Sequence, residues 1–209
     1  MYGMRDALGL IAALVGVAAL LWFGVGHFNA STASGGKTAA PGAPVADHAA
    51  VIAYLHHLSR IDAPVEAYER QSGQILHSEL TQAGPLTDAA RQRLRSIASA
   101  YSSAAAEVRH VNARPGFENA QRLLAKTYDD QAAVYRGILL LANGKTVQSD
   151  PNAVLNELKR IDRALGAFNS DLTGCRAAFE QATTAGGVTD PAWVAALINH
   201  ATGKPSTAG

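Results

Sequence analysis

From residue 46 onward, apolar residues recur at alternating steps of three and four, the spacing that places side chains on one face of a helix. The spacing predicts a first helix over 46–83. Its inner stripe runs Val51, Leu55 (or Tyr54), Leu58, Ile61, Val65, Tyr68, Ser72, Ile75 and Leu80, and Gly84-Pro85 ends it. Pro64 falls inside this helix, where it removes a backbone donor and crowds the preceding turn. The apolar phase continues through it, so a kink rather than a break is expected. A second helix starts after Thr87, a good N-cap, and turns Leu94, Ile97, Tyr101, Ala104, Val108 and Val111 inward. Arg114-Pro115-Gly116 interrupts the chain. A third helix carries Phe117, Ala120, Leu124, Tyr128, Gln131, Tyr135, Ile138 and Ala142 before Asn143-Gly144. The fourth begins at Asp150-Pro151 and repeats its stripe from Val154 through Leu158, Ile161, Leu165, Phe168, Leu172, Cys175 and Phe179 to Ala182, with Gly186-Gly187 after it.

Four long amphipathic helices with short connections predict an all-α fold, an up-down-up-down four-helix bundle over 46–186. No stretch alternates with period two, so no sheet is expected. A coiled-coil stalk is the alternative architecture, and the three tight breaks favour chain reversal instead. Residues 187–209 are expected to hold a short fifth helix, with Trp193, Val194, Leu197 and Ile198 after Asp190-Pro191, and a frayed tail.

The pattern before residue 46 is of another kind. Residues 7–26, ALGLIAALVGVAALLWFGVG, contain no charge, amide or hydroxyl. About twenty apolar residues at roughly 1.5 Å each match a hydrocarbon core near 30 Å thick. Residues 1–28 therefore read as a transmembrane anchor, with Trp22 and Phe23 near its outer end as interfacial aromatics. Arg5 precedes the span and Lys37 is the only Lys or Arg in the twenty residues after it, which orients the N-terminus to the cytoplasm and the bulk outside. A cleaved signal peptide, processed near Ala33, is the alternative. Residues 29–45, rich in Ala, Gly, Ser, Thr and Pro, read as a flexible linker.

Composition narrows the function classes. The 209 residues carry a formal net charge of +1, with 48% hydrophobic and only 6% aromatic residues. A nucleic-acid binder usually shows a basic face, and the near-neutral balance argues against one. Arg91, Arg93 and Arg95 read as a solvated helix surface. The single cysteine, Cys175, excludes an intrachain disulfide and falls on an apolar stripe, so a buried, inert thiol is expected.

Motifs for chemistry are sparse. Gly-Lys-Thr occurs at 36–38 and 144–146, but a phosphate-binding loop needs a glycine where Ser31 and Leu139 stand. Glu107-x-x-His110 matches half of a di-iron carboxylate signature, without a second such pair, and both residues fall on the flanks of their helix. His56 and His57 are adjacent and diverge on a helix. No catalytic constellation, cofactor or metal site is expected. Aligning the helices at the end where the first and third stop and the second and fourth start suggests one polar core layer of Ser72, Tyr101, Tyr128 and Gln131, level with Ile161. Such a layer reads either as a small ligand pocket or as a hydrogen-bond network that fixes helix register.

One repeat stands out. Leu-x-Arg-Ile-Asp occurs at 58–62 and again at 158–162, and Gly84-x-Leu-Thr-Asp-x-Ala90 resembles Gly186-x-Val-Thr-Asp-x-Ala192. Core positions and helix-end chemistry account for most of the shared residues, and a diverged duplication of residues 51–92 and 151–194 is the other reading. The stagger of the helices keeps Arg60 and Asp162 from meeting. Together these readings point to a membrane-anchored extracytoplasmic interaction or scaffold module of the cell envelope, with an envelope protein or a second copy as partner. The alternatives are a ligand-binding sensory or carrier domain working with a separate membrane partner, and a metal-binding four-helix protein.

Overall fold

Helix-stop and N-cap residues divide the body of the chain, and the elements follow them closely. The computed structural model of the chain describes residues 48–80, 86–142 and 151–188, with side chains within 48–68, 86–141 and 152–188. The anchor at 7–26, the linker at 29–45 and the fifth helix predicted near 190–198 lie outside the described residues. Among those described, every element is helical: α1 (His48–Leu80), α2 (Asp88–His110), α3 (Glu118–Ala142) and α4 (Pro151–Ala185). None of these helices is long and apolar enough to cross a membrane.

Local chemistry fixes the ends. Thr87 caps α2, its side chain accepting from the Ala90 amide at 3.1 Å. Asp88 in the first turn accepts from Arg91, and its negative charge suits the positive end of the helix dipole. The α4 terminus is closed by Gly187, whose φ of 65° costs a glycine nothing. The Val188 amide donates to the Thr183 carbonyl at 3.0 Å and the Gly187 amide to Thr184 at 3.2 Å, which satisfies two carbonyls left over by the helix. Val188 then packs onto the core. Pro64 does not end α1, which runs through it unbroken.

The four helices pack together as a bundle in which α2 lies on α1, α3 on α2 and α4 on α3. Paired residues give the directions. Tyr54 and Asp62 of α1 meet Gln121 and Tyr128 of α3, so those two helices run parallel. Phe117 and Gly137 meet Phe179 and Ile161 of α4, so α3 and α4 run antiparallel. The main core gathers Leu55, Leu58, Leu94, Ile97, Leu124 and Phe179, drawn from all four helices. Among the described residues, a second, smaller cluster of Val134, Leu141, Leu158 and Ile161 belongs to the α3–α4 pair. There α4 approaches closely: a Cβ on Gly137 would stand 2.5 Å from Ile161 Cγ1. At the opposite end of α4, Gly186 reaches Val51 of α1.

The predicted stripes lie inward with one exception among the described side chains. Tyr68 is 45% exposed. It shares a groove with Ser96, Ser99 and Ala100 of α2, small residues that present little apolar surface to a ring. Tyr54 and Leu55, treated as alternatives, are both buried.

Candidate functional site

Among the described residues, two polar nodes and a groove lie between the helices. The first node solves a helix-end problem. The last carbonyls of α2 have no intrahelical donor. The Gln121 side-chain amide donates to the carbonyls of Val108 and Val111, both at 2.7 Å. Its Oε1 accepts from the Tyr54 hydroxyl at 2.6 Å. One buried glutamine thus ties α1, α2 and α3 together. Burial, helped by the charge of Glu118, pushes the Tyr54 hydroxyl far above its ordinary range, so it remains a donor. Tyr54 also meets Phe117 edge-on, with ring centroids 5.4 Å apart.

The second node lies one to two turns further along α3. Asp62 is buried and its Oδ1 accepts from the Tyr128 hydroxyl. The Tyr101 ring leans on Tyr128 and stacks on Tyr135, with centroids 5.9 Å apart in both pairs. Two of the four residues expected in one polar layer meet here. Tyr101 and Tyr128 are brought together. Gln131 is buried one turn on, its Oε1 without a hydrogen-bond donor. Ser72 stands ten residues beyond Asp62 on α1, about 15 Å at 1.5 Å per residue, and its side chain lies outside those described. Ile161 is level with Gly137 rather than with Tyr128.

The correction has a physical cause. The expected register aligned the helices at the end where α1 and α3 stop. The register is set at the other end, by Tyr54 against Gln121 and Phe117, and α1 is the longer helix, 33 residues against 25. Asp62 is therefore the α1 residue level with Tyr128. A sequence signal for it exists: Tyr54-Leu55 is an inward pair, and Ile61-Asp62 repeats it seven residues later.

The groove runs between α1 and α2. Ile61, Pro64 and Tyr68 form one wall, Ser96, Ser99 and Ser103 the other, and Glu107 closes an end, around about 350 Å³. The serines recur at steps of three and four, so one face of α2 presents hydroxyls where bulky residues would fill the gap. His110 is exposed beside Glu107 at the end of α2, and His56 and His57 are exposed on α1. Among the described residues no three His, Cys, Asp or Glu side chains are placed to hold a metal ion.

Charged pairs line the outside of the α3 seams. Arg109 of α2 meets Asp129, and Lys126 meets Asp171 of α4. Cys175 is 1% exposed and points to the Ala120 carbonyl. Burial first, then the charge of Asp171, pushes its thiol up to about 12, which keeps it protonated and inert. Comparison of the chain with protein-family models, with curated proteins and with solved structures returns no match.

Proposed function

We propose that this chain is a membrane-anchored, extracytoplasmic interaction or scaffold module of the cell envelope, with the α1–α2 groove as its docking surface. The observation that supports this reading is the groove itself. It is an open concavity with small hydroxyl residues on one wall and a 45% exposed tyrosine on the other. Small side chains admit close approach, and a tyrosine contributes both apolar area and a hydroxyl to a contact. The two buried nodes hold α1, α2 and α3 in fixed register, so the groove is a rigid feature of the bundle. Residues 7–26 and 29–45 would tether it to the membrane surface at a short reach.

The test places a photo-crosslinking amino acid in the full chain in native membranes, at Ser99 in the groove or at exposed Thr173 on α4. A discrete adduct from Ser99, to another envelope protein or to a second copy, with none from Thr173, is the expected result. Equal labelling at both positions, or none from Ser99, would overturn the reading.

The groove volume of about 350 Å³ also falls within the range of small-molecule sites, roughly 300–1,000 Å³. It favours a second reading, a ligand-binding sensory or carrier domain working with a separate membrane partner. A thermal shift with a metabolite panel, abolished by Ser99→Phe, would support it. No shift across the panel would dismiss it.

A further inference from the structure

Lys126, Asp130 and Asp171 form a mixed-charge cluster on the α3–α4 seam. Lys126 and Asp130 stand four residues apart on one face of α3, and Asp171 comes across from α4. Lys126 Nζ pairs with Asp171 Oδ2 and lies 3.9 Å from Asp130 Oδ2, beyond hydrogen-bonding distance. Lys126 Nζ therefore stands between two carboxyls, one from each helix. Their side chains are only 21% and 15% exposed, and Asp130 Oδ2 is enclosed without a donor. Ionised carboxylates only accept hydrogen bonds, so two of them facing each other in poor solvent contact repel. One proton resolves this: Asp130 as the acid donates to Asp171, which still accepts from Lys126.

We propose that Asp130 and Asp171 are a proton-operated clasp between α3 and α4, holding the seam when they share a proton and loosening it when both are ionised. The surrounding charges fit this division of roles. On α3, Arg122 and Lys126 favour an ionised Asp171, while Asp129, which pairs with Arg109 of α2, adds negative charge beside Asp130. On α4, Cys175 lies beneath the pair and stays neutral. Burial, and next the Asp171 hydrogen bond, push Asp130 up to about 6. Burial works against the ionised form of Asp171 as well, but the hydrogen bonds from Lys126 and Asp130 outweigh it and hold that carboxyl below its ordinary value.

The signs are opposite. A raised Asp130 stabilises the folded chain below its ordinary pKa, and that contribution is lost as pH rises through about 6. A depressed Asp171 stabilises above its ordinary value and is lost only as pH falls through its lowered one, outside that window. Loosening between about pH 5 and about pH 7.5 therefore belongs to Asp130.

The experiment is thermal unfolding of the full chain in detergent at those two pH values, for wild type and Asp130→Asn. The asparagine amide donates permanently and does not titrate. Wild type is expected to lose about 2–4 °C more in Tm than the variant on going to the higher pH, and the histidines, common to both, cancel in the difference. Equal losses would overturn the clasp. Should Asp130→Asn fail to fold, hydrogen exchange on wild type decides. Amides of 122–138 and 165–178 lose protection at the higher pH, after correction for intrinsic exchange, while those of 94–105 do not. Unchanged protection in the first two segments would overturn it equally.

Discussion

Asp62 on α1 and Asp162 on α4 each close a Leu-x-Arg-Ile-Asp run, and in both runs the leucine and isoleucine are buried. Asp62 is 4% exposed and accepts from Tyr128, whereas Asp162 faces solvent. The difference comes from how many neighbours each helix has at that level. There α1 faces α2 and α3 together, so its inward stripe is two residues wide: Tyr54 and Leu55, then Ile61 and Asp62. Around 158–162, among the described side chains, α4 packs on α3, in the smaller cluster, and its buried stripe is one residue wide. The runs also occupy different layers. Asp62 is level with Tyr128 and Ile161 with Gly137, nine residues or about 14 Å apart along α3. Identical local sequence thus acquires a role from the number of surfaces around it.

The leucines test this contrast with the largest effect. Leu58 is 0% exposed in the main core, and Leu158 is 7% exposed in the smaller one. Leu58→Ala should cost about 4 kcal/mol and Leu158→Ala about 2 kcal/mol, because the lost transfer energy adds to a cavity that a tightly enclosed site cannot collapse. Urea unfolding of the full chain, followed by helical circular dichroism, measures both. Equal costs would mean that the two clusters are one core.

Asp62→Ala comes next, at about 2 kcal/mol, since it removes the carboxyl oxygen that accepts from a buried tyrosine. Tyr128→Phe should cost less than Asp62→Ala, because it removes the hydroxyl together with its need for a partner. The reverse order, read from the same unfolding curves, would show that Asp62 owes its burial to packing rather than to the hydrogen bond.

Gly137→Ala tests the α4 side. The new methyl would meet Ile161 Cγ1 at 2.5 Å and the Glu157 carboxylate at 3.2 Å. Overpacking costs about 1–3 kcal/mol, and the better helix propensity of alanine returns about 1 kcal/mol. A net loss of about 1 kcal/mol is expected, and Ile161→Val in the same chain should recover part of it. A gain in stability would show that α4 stands off from α3 more freely than their contact implies.

These contrasts also mark how far the sequence could be read. Helix limits were legible because their causes are local: Thr87, Pro151 and Gly187 act within one turn of where they stand. The inward stripes were legible because period survives without knowledge of partners. Register was not, because it depends on long-range contacts such as Tyr54 with Gln121, which place Asp62 of α1 beside Tyr128. Gln121 was missed for a related reason. It is one residue from Ala120 on a helix that α1, α2 and α4 surround, and α3 buries Ala125 and Ala132 on the same broad face. A one-stripe template assigns such residues to solvent.

Asp162→Ala has the smallest expected effect and bears on the origin of the repeat. An exposed aspartate in a helix interior lost to alanine changes stability by less than about 0.5 kcal/mol, with helix propensity favouring the alanine. The informative measurement is the double variant with Asp62→Ala. Sites more than about 10 Å apart with no shared partner add to within about 0.5 kcal/mol, so the pair should equal the sum of the singles. Coupling well beyond that would mean that the two runs communicate through α3, as paired halves of one device would. Additivity leaves each run to the packing of its own helix.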